Sequence, residues 1–209
     1  MENVNWLELD RSPHAVHFYS GDDFLLDSLS RFVSTALEVR DACVVIATEG
    51  HLDALAEHLR ARGVDTNRAV KTRRYVTLNA FQVLAQLMVD GRLEKNRFDT
   101  FIREISLTVK TASERKPQRV AICGEAVALL WAEGNAEAAI ELEHLWNEVA
   151  AQGSHYLRCF YQIASFSDPR QNELFLKLCA DHASVIPHRS QLRDVEATVK
   201  KFEAPLLDK

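Results

Sequence analysis

The sequence predicts an α/β fold of three layers, a mainly parallel sheet flanked by helices. Three observations point there. Short apolar runs alternate with helix-patterned runs along all 209 residues, the rhythm of βαβ units. The apolar runs are continuous rather than alternating, which marks strands buried on both faces. Only 7 Gly and 5 Pro are present, too few for a turn-rich all-β chain.

The strands expected in order are residues 15–19, 43–48, 70–78, 119–124 and 157–164. The third carries Lys71, Arg73 and Arg74 and is therefore expected near a sheet edge. Residues 22–40 place Phe24, Leu25, Leu29, Phe32, Val33 and Leu37 at helical spacing. Ser20 with Asp23 three residues on resembles a capping box. Residues 51–62 carry Leu52, Leu55, Ala56 and Leu59 on one stripe and stop at Gly63. Helices follow at 80–89 and 97–114. Asn135 opens another, with Ala138, Leu142, Leu145 and Val149 inward and Glu137, Glu141 and Glu148 toward water. The last is expected at 170–182, after Asp168-Pro169. Crossovers should be right-handed. The chain divides into a domain at 13–187 and a charged tail at 188–209. In the tail, Leu192, Val195, Val199 and Phe202 recur at intervals of three, four and three. So narrow a stripe needs another surface, its own domain or a second copy in a homodimer.

Composition excludes several classes. Hydrophobic residues make up 47% and charged residues 26% of the chain, ordinary for a globular protein. A net charge of −5 gives no general drive toward nucleic acid or an anionic membrane, and neither partner is expected. No apolar run approaches the length of a bilayer span. The opening MENVNWLELDRSPHA is acidic and lacks the apolar core of a signal peptide, so the expected compartment is the cytoplasm. Cys43, Cys123, Cys159 and Cys179 form no CxxC pair and read as small core residues. No two potential ligands have the local spacing of a zinc site, so no metal and no cofactor are assigned. The basic group Arg68, Lys71, Arg73 and Arg74 reads as a solvated edge.

A strand, a turn and a helix near the start of an α/β chain raise the nucleotide question. Here the turn is Ser20-Gly21-Asp22-Asp23. A phosphate loop needs several free backbone N–H groups, permissive glycines and a lysine. This turn has one glycine, no lysine and two carboxylates at the positive end of the helix. No GxxxxGK[ST], GxGxxG or GxSxG occurs anywhere in the chain, so neither a nucleotide cradle nor a serine nucleophile elbow is expected.

The stretch from Arg119 to Trp131, RVAICGEAVALLW, holds the strongest site signal. A buried strand breaks at Gly124 and is followed at once by Glu125. Open α/β sheets put ligand sites at the ends of such strands. Glu125 has two readings, a ligand-facing carboxylate or a cap on the next helix. His14, His17 and Tyr19 from the first strand converge on the same edge with Cys123, Glu125 and Trp131, and with Cys159, Tyr161 and Gln162. His14 lies at the opposite end of its strand from Tyr19. An aromatic-lined cleft with a few polar groups suits a small, mostly apolar ligand, although Trp131, Trp146 and Tyr161 also suit a plain core. His14, His17 and Glu125 are a conceivable but disfavoured metal set. His182 is placed to meet a helix C-terminal dipole.

His14-Ala-Val-His17-Phe-Tyr19, Gly124-Glu125 ahead of Leu130-Trp131, Leu142-Glu143 with Leu145-Trp146-Asn147, Cys159-Phe-Tyr161, and His182 before Val185-Ile-Pro187 together resemble the MEDS family. These are sensory domains named for methanogens, methylotrophs and the dichloromethane-responsive regulator. The resemblance spans residues 13–187. It implies a RecA/KaiC-like α/β fold without a phosphate-binding loop, and a signalling rather than catalytic role. It also implies a small-molecule ligand, with hydrocarbon derivatives the proposed class. The positions that match are His14, Tyr19, Glu125, Trp131, Trp146 and Tyr161, the expected ligand-binding residues. No helix-turn-helix precedes the domain and no kinase follows it in this sequence, so output is expected through a partner protein, the tail or a module outside this sequence. Two alternatives stand beside this reading: a divergent ATPase with Glu125 as general base, and an interaction module that binds no ligand.

Overall fold

The computed structural model describes residues 12–111, 119–166, 170 and 172–187. In chain order the elements are β1 (His14–Tyr19), α1 (Asp22–Glu38), β2 (Ala42–Ala47), α2 (Glu49–Ala61), α3 (Thr66–Lys71), β3 (Tyr75–Asn79) and α4 (Ala80–Leu87). A two-stranded hairpin of β4 (Met88–Val89) and β5 (Arg92–Leu93) follows, then α5 (Lys95–Thr111), β6 (Val120–Gly124), α6 (Ala126–Ala132) and α7 (Ala136–Ala151). The described chain closes with β7 (His155–Gln162), a 3-10 turn (Ile163–Phe166), α8 (Asn172–Ala180) and β8 (Ser184–Pro187).

Six strands form one sheet in the order β3-β2-β6-β7-β1-β8, with every neighbouring pair parallel. The expected α/β class is therefore observed, and β3 lies at an edge, although the basic residues Lys71, Arg73 and Arg74 fall in α3 and the turn before β3 rather than in the strand. The order also explains the layers. The chain moves one way across the sheet from β1 to β2 to β3, then back the other way to β6, β7 and β8. Right-handed crossovers put helices from opposite directions of travel on opposite faces. Accordingly α1, α2 and α3 cover one face, where Leu25, Leu29, Leu55, Leu59 and Ala69 meet Cys43, Val45, Ala121, Tyr156 and Phe160. The other face is covered by α4 to α8, where Val83, Phe98, Val127, Leu142 and Phe175 meet Val16, Val44, Ile122, Leu157 and Cys159. The strand residues divide between the two cores with the two-residue alternation of a pleated strand.

Local chemistry sets the helix starts. Thr48, Asp65, Asn79 and Asn135 each accept a backbone N–H from the first turn of the helix they precede, as N-caps do. The first helix differs from expectation. Gly21 is its N-cap and no side chain caps it, so the box expected from Ser20 and Asp23 does not form. Gly124 is required by packing, since a Cβ there would lie 2.0 Å from the Ile46 carbonyl oxygen on the adjacent strand.

Several boundaries move. The strand expected at 70–78 is instead α3, a turn through Arg73 at φ 47°, and β3. The helix expected at 80–89 ends at Leu87, because Asp90 and Gly91 take positive φ values of 48° and 77° and turn the chain into the β4–β5 hairpin. The strand expected at 157–164 begins at His155 and gives way to the 3-10 turn at Ile163. The last helix stops at Ala180, and β8, which the sequence reading lacks, then pairs with β1. The end of the helix expected at 97–114 and the tail at 188–209 lie outside the described residues. Among the described residues no helix is long and apolar enough to cross a membrane.

Candidate functional site

Alternation along β1 sends its chemistry two ways. His14 shares a face with Val16 and Phe18, toward α7 and α8. His17 and Tyr19 face α1 and α2, His17 packing on Phe160 with ring centroids 4.8 Å apart. The structure thus makes two polar clusters on opposite faces, and the conceivable set of His14, His17 and Glu125 does not come together.

The first cluster sits at the carboxyl edge, between β2 and β6. The chain leaves β2 toward one face and β6 toward the other, which opens the kind of crevice where α/β sheets bind ligands. Glu125 follows β6, is 3% exposed, and occupies the N-cap position of α6 without a side-chain cap bond. Its Oε2 lies 2.7 Å from Nδ1 of His51, in the first turn of α2. The other ring nitrogen of His51 lies 3.6 Å from Asp22 Oδ1 in the first turn of α1. Burial raises the Glu125 pKa; the His51 charge and hydrogen bond and the Thr48 backbone only partly oppose it. Burial, then the charges of Glu125 and Asp22, likewise push the Tyr19 phenol up. A carboxyl group that takes up protons readily, held on an imidazole, can accept, hold and return a proton.

The second cluster is fully enclosed. Glu143, from the middle of α7, is 0% exposed. Its Oε1 accepts the Tyr161 hydroxyl at 2.8 Å. Its Oε2 lies 3.3 Å from Cys159 Sγ, 3.2 Å from His14 Nε2 and 3.4 Å from His182 Nε2. His14 Nε2 is also 3.3 Å from Cys159 Sγ. The far nitrogens are anchored: His14 Nδ1 on Asn147 Oδ1 at 2.8 Å and His182 Nδ1 on the Leu178 carbonyl at 2.7 Å. Burial would push the Glu143 carboxyl up, but attraction to His182 and hydrogen bonds from His14 and His182 outweigh it and hold it well below the usual range. Burial pulls the His182 imidazole down, and the Glu143 charge more than reverses this, so it rises. Burial, reinforced by the Glu143 charge, pushes both the Cys159 thiol and the Tyr161 phenol up.

Aromatic side chains wall this face. Trp131 packs on Phe166 with centroids 4.7 Å apart and meets Tyr161 edge-on at 6.4 Å; among the described residues its indole N–H has no hydrogen-bond partner. Trp146 stands edge-on to Phe98 at 4.9 Å. Between the sheet, α6 and α7 lies a cavity of about 20 Å³ lined by Ile46, Ile122, Val127, Trp146, Leu157 and Cys159, among others.

The six expected site residues are therefore dispersed. His14 and Tyr161 belong to the enclosed cluster, Tyr19 and Glu125 to the carboxyl edge, Trp146 to the cavity wall, and Trp131 to the aromatic packing. Sequence reasoning missed Glu143 and His51 as site residues. Glu143 was legible in principle, being four residues after buried Ala139 and three before buried Trp146 on α7, a carboxylate on the apolar stripe. His51 carries no such signal, because its partner is 74 residues away.

No curated protein and no solved structure matches the chain. The family described as MEDS, the methanogen/methylotroph, DcmR sensory domain, matches residues 13–176. That match takes in both strands that flank the carboxyl-edge crevice and three of the four segments of the enclosed cluster. The chain belongs to the MEDS family of sensory domains.

Proposed function

We propose that this domain senses a small, largely apolar molecule in the layer between the sheet and α6–α7 and relays its presence to a partner protein. The observation that carries this reading is the cavity beside Trp146. Its wall is aliphatic and aromatic apart from Cys123, Gly124, Cys159 and buried Arg158, and at about 20 Å³ it admits one water or a comparably small molecule. A one-carbon or two-carbon compound is the matching class, and Trp146 and Val127 are positioned to report it through α6 and α7. Titration of the labelled protein with methanol, dichloromethane and xenon tests this. Chemical-shift changes centred on Ile122, Val127 and Trp146 are expected, and their absence with all three probes rules the reading out.

The RecA-like ancestry, the cytoplasmic setting and the partner belong to the same proposal. The charged tail at 188–209 is the candidate surface for output, in cis or through a homodimer. Deleting residues 190–209 and measuring mass by light scattering separates these: an unchanged oligomeric state eliminates tail-driven pairing. A second reading, a divergent ATPase, is favoured by the Glu125–His51 pair at the β2/β6 crevice. Against it stand Asp22 and Asp23 in the first turn of α1, which repel a phosphate. ATP turnover that disappears in Glu125→Gln would overturn the sensory reading in its favour.

A further inference from the structure

The enclosed cluster gathers four potential metal donors around Glu143 Oε2. Asn147 fixes the His14 tautomer: its Nδ2 donates to the Asp181 carbonyl at 3.0 Å, so its Oδ1 is the atom that faces His14 and accepts from Nδ1. The Leu178 carbonyl can only accept, so His182 Nδ1 also carries a proton. Both rings therefore turn Nε2 toward Glu143 Oε2, and a ring without a proton there presents a lone pair to it. His182 Nε2 is buried, with Glu143 Oε2 at 3.4 Å. Two such nitrogens facing a carboxylate without water need a cation among them, either a proton on a ring or a metal ion.

We propose that His14 Nε2, Glu143 Oε2, Cys159 Sγ and His182 Nε2 form a tetrahedral site for a first-row transition metal ion, with Zn²⁺ the best match. The four atoms all lie within 4.8 Å of one another. Four of the six separations, 3.2, 3.3, 3.3 and 3.4 Å, suit the edges of a tetrahedron with metal–ligand bonds of about 2.0 to 2.3 Å. Two imidazoles, a thiolate and a carboxylate are a borderline-soft donor set, wrong for Mg²⁺ or Ca²⁺, which prefer all-oxygen shells. Binding displaces the Cys159 proton to solvent, and thiolate plus carboxylate then neutralise the dication, as burial demands. Both imidazoles already have the outer hydrogen bonds that orient metal-bound histidines. Cys159 also lines the cavity, so a metal-bound thiolate would border the proposed sensing pocket. The sequence reading set zinc aside for want of local spacing; here the four ligands come from β1, α7, β7 and the turn before β8. The inference does not depend on the apolar ligand, since a domain that binds metal and no such ligand still satisfies it.

The test is a titration of the chelator-treated full chain with Co²⁺, followed by competition with Zn²⁺. Expected are one ion per chain, the intense visible bands of tetrahedral Co²⁺, a thiolate-to-metal charge-transfer band, and their loss when Zn²⁺ is added. Cys159→Ser should abolish the charge-transfer band. Asn147→Ala should weaken Zn²⁺ binding roughly 10- to 100-fold, the effect of releasing an outer-shell partner. Weak octahedral bands, no stoichiometric uptake, or a charge-transfer band that survives in Cys159→Ser would each overturn the proposal. The wild-type titration decides the matter even where a variant fails to fold.

Discussion

Glu143 and Glu125 are both nearly inaccessible carboxylates in contact with histidine, yet their affinities for protons move in opposite directions. Glu143 faces two imidazoles, a phenol and a thiol within 3.4 Å; attraction outweighs desolvation and the carboxylate stays ionised. Glu125 has one imidazole, itself partly solvated, with the Asp22 carboxylate behind it, and desolvation wins. Burial alone therefore does not set the protonation of a carboxyl group. The number and rigidity of its donors decide the sign. The difference also sorts the clusters by chemistry: the enclosed one holds fixed charge, whereas the one at the crevice can exchange a proton.

The strongest way to break this comparison is Glu143→Ala. It strips the charge from the middle of the cluster and leaves His14, His182 and Tyr161 without their acceptor. We expect a loss of about 3 to 5 kcal/mol in urea unfolding, the usual effect of removing one partner from a buried charged network. A loss no larger than that of a surface substitution would mean the cluster is held by packing rather than by the carboxylate.

Gly124→Ala acts on the crevice without touching its charges. The added methyl would lie 2.0 Å from the Ile46 carbonyl oxygen, so β2 and β6 must separate. Overpacking of this kind destabilises by about 1 to 3 kcal/mol, and hydrogen exchange at Cys123 to Glu125 should accelerate.

A smaller effect comes from pH at the crevice. Burial raises the folded-state pKa of Glu125 above its ordinary value of 4.5, so the folded chain binds this proton more tightly than the unfolded one. The stabilisation is complete below the ordinary value and is lost as pH rises through the raised one. Glu125→Gln removes that dependence while keeping shape. Relative to wild type, the variant should therefore gain stability as pH rises from the ordinary value of 4.5 through the raised one, measured by denaturation in matched buffers. His51, Asp22 and Tyr19 face the same carboxyl and are unchanged in both chains. An opposite slope would show Glu125 to be stabilised as an anion, like Glu143.

Smaller still is His51→Ala, which removes the main group opposing desolvation. The Glu125 pKa should rise further in a carbon-detected NMR titration, with a stability loss of about 1 kcal/mol for one hydrogen bond. An unmoved Glu125 titration would show that the imidazole contact contributes nothing to its charge state.

The elements were legible where their signals are local. Continuous apolar runs marked β1, β2 and β6, and helical stripes marked α1, α2 and α7, because side-chain period reports backbone geometry directly. Errors fell where a short signal was overridden. The strand expected at 70–78 begins inside α3, a single helical segment capped by Asp65. Asp90-Gly91 is a hairpin signal hidden at the end of an apolar helix. Ser184–Pro187 is too short to declare itself, and becomes a strand only because β1 offers an open edge.

The amino-acid sequence by itself determined the α/β class, the double-sided burial of the strands and the apolar layers, since each depends on periodicities within a few residues. It also placed Glu125 at the end of a buried strand. Tertiary structure alone decided which chemistry-bearing residues meet. The order β7-β1-β8 brings Cys159, His14 and His182 together, with α7 laid across them to supply Glu143, while the pleat sends His17, three residues from His14, to the opposite face. Strand order depends on crossover handedness and on the packing of whole layers, and no window of sequence contains it.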